Sequence, residues 1–196
     1  QKLLEQDILK AIRKESCDTV TQCFIDRQYI ACVTDILQHP KFQQMSQYTQ
    51  HGTTTTLEHC MSVSYLSYKI ARSYHLDYRS AARGALLHDL FLYDWHSVVK
   101  DTGNHLHGLT HPKTALLNAD KYFSLNDKEK DIILKHMWPI TIVPPKYAEG
   151  YIVSYIDKYC GFAETWKRMK IKAMRKNGGM LYGYDDGNYA SGHTEG

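Results

Sequence analysis

Apolar positions recur along the chain with helical spacing, and no stretch alternates for long enough to build a sheet around. Residues 2–15, "KLLEQDILKAIRKE", and 20–37 read as two amphipathic helices, the second ended by His39-Pro40. A polar connection, "QYTQHGTTTT", follows, and Thr55-x-x-Glu58 then has the form of a capping box. The pattern predicts a helix from there to about Tyr74 and another from about Tyr78 to Leu92. After a loop over 94–110, Pro112 suits the first turn of the next helix, to about Phe123. "NDKEKDIILKHMW" predicts a helix capped by Asn126 and stopped by Pro139, and a long helix is expected over about 147–173. The expectation is an all-α fold with one core unit, 55–173, N-terminal helices (1–54) packing on it, and a flexible tail, 174–196.

Polar residues interrupt this pattern where apolar ones would pack more cheaply. His88 and Asp89 fall on or beside the stripe Ala81, Ala85, His88, Leu92. His59 lies on the stripe His59, Val63, Leu66, Ile70, and His111 is in line with Ala115 and Tyr122. His136 follows Ile132 and Ile133, while Asp157 follows Val153 and precedes Cys160. Buried polar groups without partners cost several kcal/mol each, so an interior holding four His and two Asp calls for a common partner. A cation satisfies all of them at once.

In order and type, these residues resemble the HD superfamily of metal-dependent phosphohydrolases, helical proteins named for the His-Asp dipeptide. The family order is a lone His, the dipeptide and a distal Asp, which here are His59, His88 with Asp89, and Asp157. His111 and His136 stand where the dinuclear branch carries two further His. The resemblance covers about residues 55–165. It implies that His59, His88 and Asp157 hold one metal, that His111 and His136 hold another, and that Asp89 bridges them. Imidazole and carboxylate without thiolate favour Fe, Mn, Zn or Ni. The reaction implied is hydrolysis of a nucleotide or other phosphate ester by a metal-bound hydroxide. The same ligand pattern occurs in HD-type di-iron oxygenases, and a non-catalytic module stabilised by metal is a third reading.

Further residues cluster near this set. His105, His107 and Lys113 are close to His111 in sequence, and Lys158 adjoins Asp157. His107, Lys113 and Lys158 are candidates for substrate binding, and Lys113 for a catalytic point charge on a phosphate oxygen. Asp94 and His96 are candidates for orienting ligands. The run His88-Asp89-Leu90-Phe91-Leu92 lacks the Gly and Lys of HD-GYP cyclic-di-GMP phosphodiesterases, and no Gly-Tyr-Pro follows, so that substrate is not assigned.

Composition adds boundaries. With 43% hydrophobic and 23% charged residues the chain is ordinary for a globular protein, and its formal charge of +3 gives no strong nucleic-acid signal. "KRMKIKAMRK", 167–176, is a local basic exception, read as a solvated helix end. Five cysteines without a CxxC pair fit a reducing compartment. With neither an apolar run of transmembrane length nor a signal-peptide pattern, the expected location is cytoplasmic and away from membranes. The expected partner is a small-molecule phosphate ester or nucleotide, with a homo-oligomer left open.

Overall fold

The computed structural model describes residues 23, 24, 26–51, 54–93 and 107–177. The helix expected over 2–15, Asp94, His96, His105 and the tail beyond 177 lie outside the described residues. The fold is all-α, with one short two-stranded ribbon.

Helix α1, Arg27–Leu37, starts at Asp26, whose carboxylate accepts from the Gln28 and Tyr29 amides. The helix expected from residue 20 is therefore interrupted at that cap. Tyr29, Cys32, Val33 and Ile36 form its buried stripe. Pro40 opens the short α2, Pro40–Gln43, and a 3-10 turn follows over Gln44–Gln47. Part of the polar connection pairs as an antiparallel ribbon, β1 (Thr49–His51) with β2 (Thr54–Thr55). The ribbon delivers the chain to α3, Thr56–Ser73, through the expected capping box: the Glu58 amide donates to Thr55 Oγ1 and the Thr55 amide to Glu58 Oε2.

Helix α3 is buried along most of its length because two hydrophobic clusters share it. One gathers Tyr29, Cys32 and Ile36 of α1 with Tyr65 and Tyr68 of α3. The "SYLSY" tyrosines are thus packing residues, edge-on to Tyr29. The other cluster joins Val63, Leu66 and Ile70 to Ile152, Val153 and Ile156 of α7, Ala148–Asn177. Helix α4, Tyr78–Leu87, capped by Asp77, lies between the clusters and is buried from Ser80 onward. Arg83 ties it to its neighbours, donating to Asp35 of α1 and to the buried Glu129. Glu129 belongs to α6, Asp127–Lys135, which Asn126 caps as expected, and the Glu129 side chain completes a capping box there. Gly84 admits α6 closely, since a Cβ there would stand 2.9 Å from Ile132 Cβ.

Two boundaries differ from the pattern. Helix α4 stops at Leu87 rather than near Leu92, for a reason given below. Helix α5, His107–Tyr122, begins before Pro112, which lies inside it and forgoes one ladder hydrogen bond. The basic run falls on the last turns of α7, where Lys167, Arg168, Lys170 and Lys172 are exposed. No helix among the described residues is long and apolar enough to cross a membrane.

Candidate metal centre

His88 and His136 occupy the same local position in different helices: each is the C-cap residue, just past α4 and α6 respectively. The last carbonyls of a helix lack ladder partners. At both ends the imidazole supplies one, His88 Nδ1 to the Ala85 carbonyl at 2.6 Å and His136 Nδ1 to the Ile133 carbonyl at 2.8 Å. A carbonyl only accepts, so Nδ1 carries the proton in each ring and Nε2 faces inward. At His88 the ring takes the carbonyl that the Asp89 amide would use in a longer helix, and this is why α4 ends there.

His59, fully buried on α3, is held by side chains instead. Its Nε2 is 3.1 Å from Asp157 Oδ1, and its Nδ1 is 3.1 and 3.2 Å from the two Glu164 oxygens. Both carboxylates belong to α7. His111 on α5 completes the set, with Nε2 at 2.8 Å from His136 Nε2 and 3.2 Å from Asp89 Oδ1.

Asp89 lies between the groups. Its Oδ2 is 3.5 Å from His88 Nε2, while Oδ1 faces His111 and, at 3.6 Å, His136. His88 Nε2, in a fully buried side chain, has no hydrogen-bond partner among the described residues, although Asp157 Oδ1 is also 3.5 Å away. Such an orphan fits a site built to hold a cation. One donor atom from each of His59, His88 and Asp157 lies within 4.8 Å of the others, and the same holds for His88, Asp89 and His136. The donor chemistry, imidazole and carboxylate without thiolate, suits a divalent transition metal.

Electrostatics distinguishes the members. Burial opposes charge on His59, but its hydrogen bonds to Asp157 and Glu164 outweigh burial and raise its pKa to about 10. Burial, reinforced by His88 and His111, pushes His136 down to about 3. Burial would raise both aspartates; nonetheless His88 and His111 hold Asp89 low, and His59 and His88 hold Asp157 low. Burial opposes charge on His88 too, but Asp89 raises it well above its ordinary value. Asp89 and Asp157 are thus carboxylates and His136 a neutral imidazole, the states in which those three bind metal, whereas His59 and His88 give up a proton to do so.

The six residues singled out from the pattern therefore converge. The outlying candidates do not join them equally. The Lys158 ammonium donates to the His136 carbonyl (2.7 Å), the Ser154 carbonyl (3.1 Å) and Ser154 Oγ (3.3 Å). One of these bonds fastens α7 to the end of α6 and the other two stay within α7, while the ammonium also lies 3.7 Å from Asp157 Oδ2. Ser154 Oγ reinforces this, donating to the His136 and Trp138 carbonyls. Lys113 is exposed on α5, two residues and so about 200° round the helix from His111. The His107 side chain lies outside the described residues. Glu164 and Ser154 escaped the pattern; the available signal for Glu164 was its place two turns after Asp157 on one helix face.

A family model described as the HD domain matches residues 56–160, more than half of the chain. No curated protein and no solved structure matches.

Proposed function

The chain belongs to the HD-domain family, whose members are generally metal-dependent hydrolases, and from that premise we propose that it is a phosphohydrolase with a dinuclear centre acting on a nucleotide or other phosphate ester. In this reading His59, His88 and Asp157 hold one divalent ion, His111 and His136 a second, and Asp89 contributes to both. The observation that carries the reading is the orientation of Asp89, one oxygen toward His88 and the other toward His111 and His136. Bound ions of this kind lower the pKa of water and neutralise phosphate charge.

The chain's own residues do the rest. Ala85 and Ile133 orient the rings of His88 and His136 through their carbonyls, which turns Nε2 of each inward. Asp89 and Asp157 keep two negative charges in a site otherwise made of imidazoles, leaving it net positive with two divalent ions and suited to an anionic ester.

The test begins with elemental mass spectrometry of protein purified without added metal or chelator. About two transition-metal ions per chain, with phosphate released from nucleotides or aryl phosphates under nitrogen as well as air, is the expected result. Iron with substrate-dependent oxygen uptake and no phosphate release would replace this reading with the oxygenase one. Metal with neither activity would favour a regulatory module.

A further inference from the structure

Three rings in this centre have Nδ1 held and Nε2 turned inward, but only two can use their own helix to do it. His88 and His136 stand at helix ends, where the carbonyl three residues back is vacant. His59 stands inside α3, where the carbonyls behind it are committed to the ladder. Its Nδ1 therefore needs an acceptor from another element, and the structure supplies the Glu164 carboxylate at 3.1 and 3.2 Å.

We propose that Glu164 is a positioning residue of the centre, holding His59 through Nδ1 so that Nε2 is presented to the ion that Asp157 shares. This rests on the metal reading of the site above. The helix makes the arrangement possible. Seven residues return nearly to the same face of α7, and side chains lean toward the helix N-terminus. The longer Glu164 side chain thus reaches back along α7, and the imidazole fits between its carboxylate and that of Asp157. The Glu164 side chain is only 14% exposed, so its charge acts with little screening by water. A carboxylate on the outer nitrogen fixes the ring and makes the inner nitrogen a better donor. Glu164 also lies beyond the segment that the family model matches, 56–160.

The experiment is titration of the chelator-treated intact chain with Zn²⁺ and with Mn²⁺ against a competing chelator, for the wild type, Glu164→Gln and Glu164→Ala. Removing such an outer partner typically weakens metal binding about 10- to 100-fold, and this is expected for Glu164→Ala. Glu164→Gln keeps an acceptor and should fall between. A residue that merely packs α7 on α3 would shift the melting temperature of the chelated protein and leave metal affinity unmoved. Nitrogen-detected NMR of the Zn²⁺-loaded protein separates these roles, because a held Nδ1 proton on His59 should be visible in the wild type and exchange-broadened in Glu164→Ala. Should Glu164→Ala not fold, Glu164→Gln decides alone: wild-type affinity in it would overturn the proposal. Unchanged affinity in a folded Glu164→Ala, with the wild type binding metal, overturns this proposal but not the metal centre. A wild type that binds neither ion overturns both.

Discussion

Around His59 the clamps are side-chain carboxylates, Glu164 on one nitrogen and Asp157 on the other, whereas around His88 and His136 they are main-chain carbonyls of the helices those residues end. The contrast extends to charge. His59 is raised to about 10 by its two acids, and His136 is lowered to about 3 by burial and its imidazole neighbours. One half of the centre is thus held by ionic clamps from distant segments, and the other by uncharged carbonyl clamps from local helix geometry, although Asp89 raises His88 there well above its ordinary value. Side-chain clamps can be removed by substitution and main-chain clamps cannot. The two halves should therefore fail differently under mutation.

The largest effect is expected at the residue both halves share. Asp89→Asn keeps the shape but removes the charge that faces His88 on one side and His111 and His136 on the other. Hydrolysis should fall by more than about 100-fold, beyond the range for outer partners, with metal content reduced in both halves. Loss confined to one ion would show that Asp89 serves one half only. Next is His136→Ala, which should reduce the metal from about two ions per chain to about one and leave the circular dichroism of the chelated protein unchanged. Two ions retained with full activity would remove His136 from the set.

The smallest effect is expected where main-chain geometry is itself braced. Ser154→Ala removes the hydroxyl that donates to the His136 and Trp138 carbonyls. It should lower the unfolding free energy by about 1 kcal/mol in a urea titration, without changing metal stoichiometry. An altered stoichiometry would mean that the brace also sets the ring position. Glu164→Ala belongs between His136→Ala and this variant, and it touches only the ionic half.

The same contrast explains how much was legible in the sequence. Local signals were read directly: the Thr55 capping box, the Asn126 cap, the helices from Thr56 and Asp127, and the long helix from Ala148 formed where the pattern placed them. So were the inward positions of His59, His111 and Asp157, because helical periodicity assigns a face; His88, Asp89 and His136 also point inward, but from just past helix ends. Glu164 was not legible, because its contact with His59 spans 105 residues and depends on how α7 packs on α3. Lys158 adjoins Asp157 in sequence, yet its hydrogen bonds go to the His136 carbonyl and to Ser154. The end of α4 was also missed, since periodicity continues to Leu92 while His88 substitutes its ring for the ladder.

Gly84 stands one turn before His88, and Ile132 one turn before His136. At that level the two helices are separated by little more than one absent methyl group, since a Cβ on residue 84 would stand 2.9 Å from Ile132 Cβ. One turn further on, the His88 and His136 rings are 4.8 Å apart, centroid to centroid. Gly84→Ala must push α6 away from α4 and widen the gap between those rings without deleting any donor. In a competition between Zn²⁺ and the larger Mn²⁺, preference should move toward Mn²⁺. That shift would mean that the ion the centre prefers depends partly on a residue that has no side chain and no donor atom to offer it.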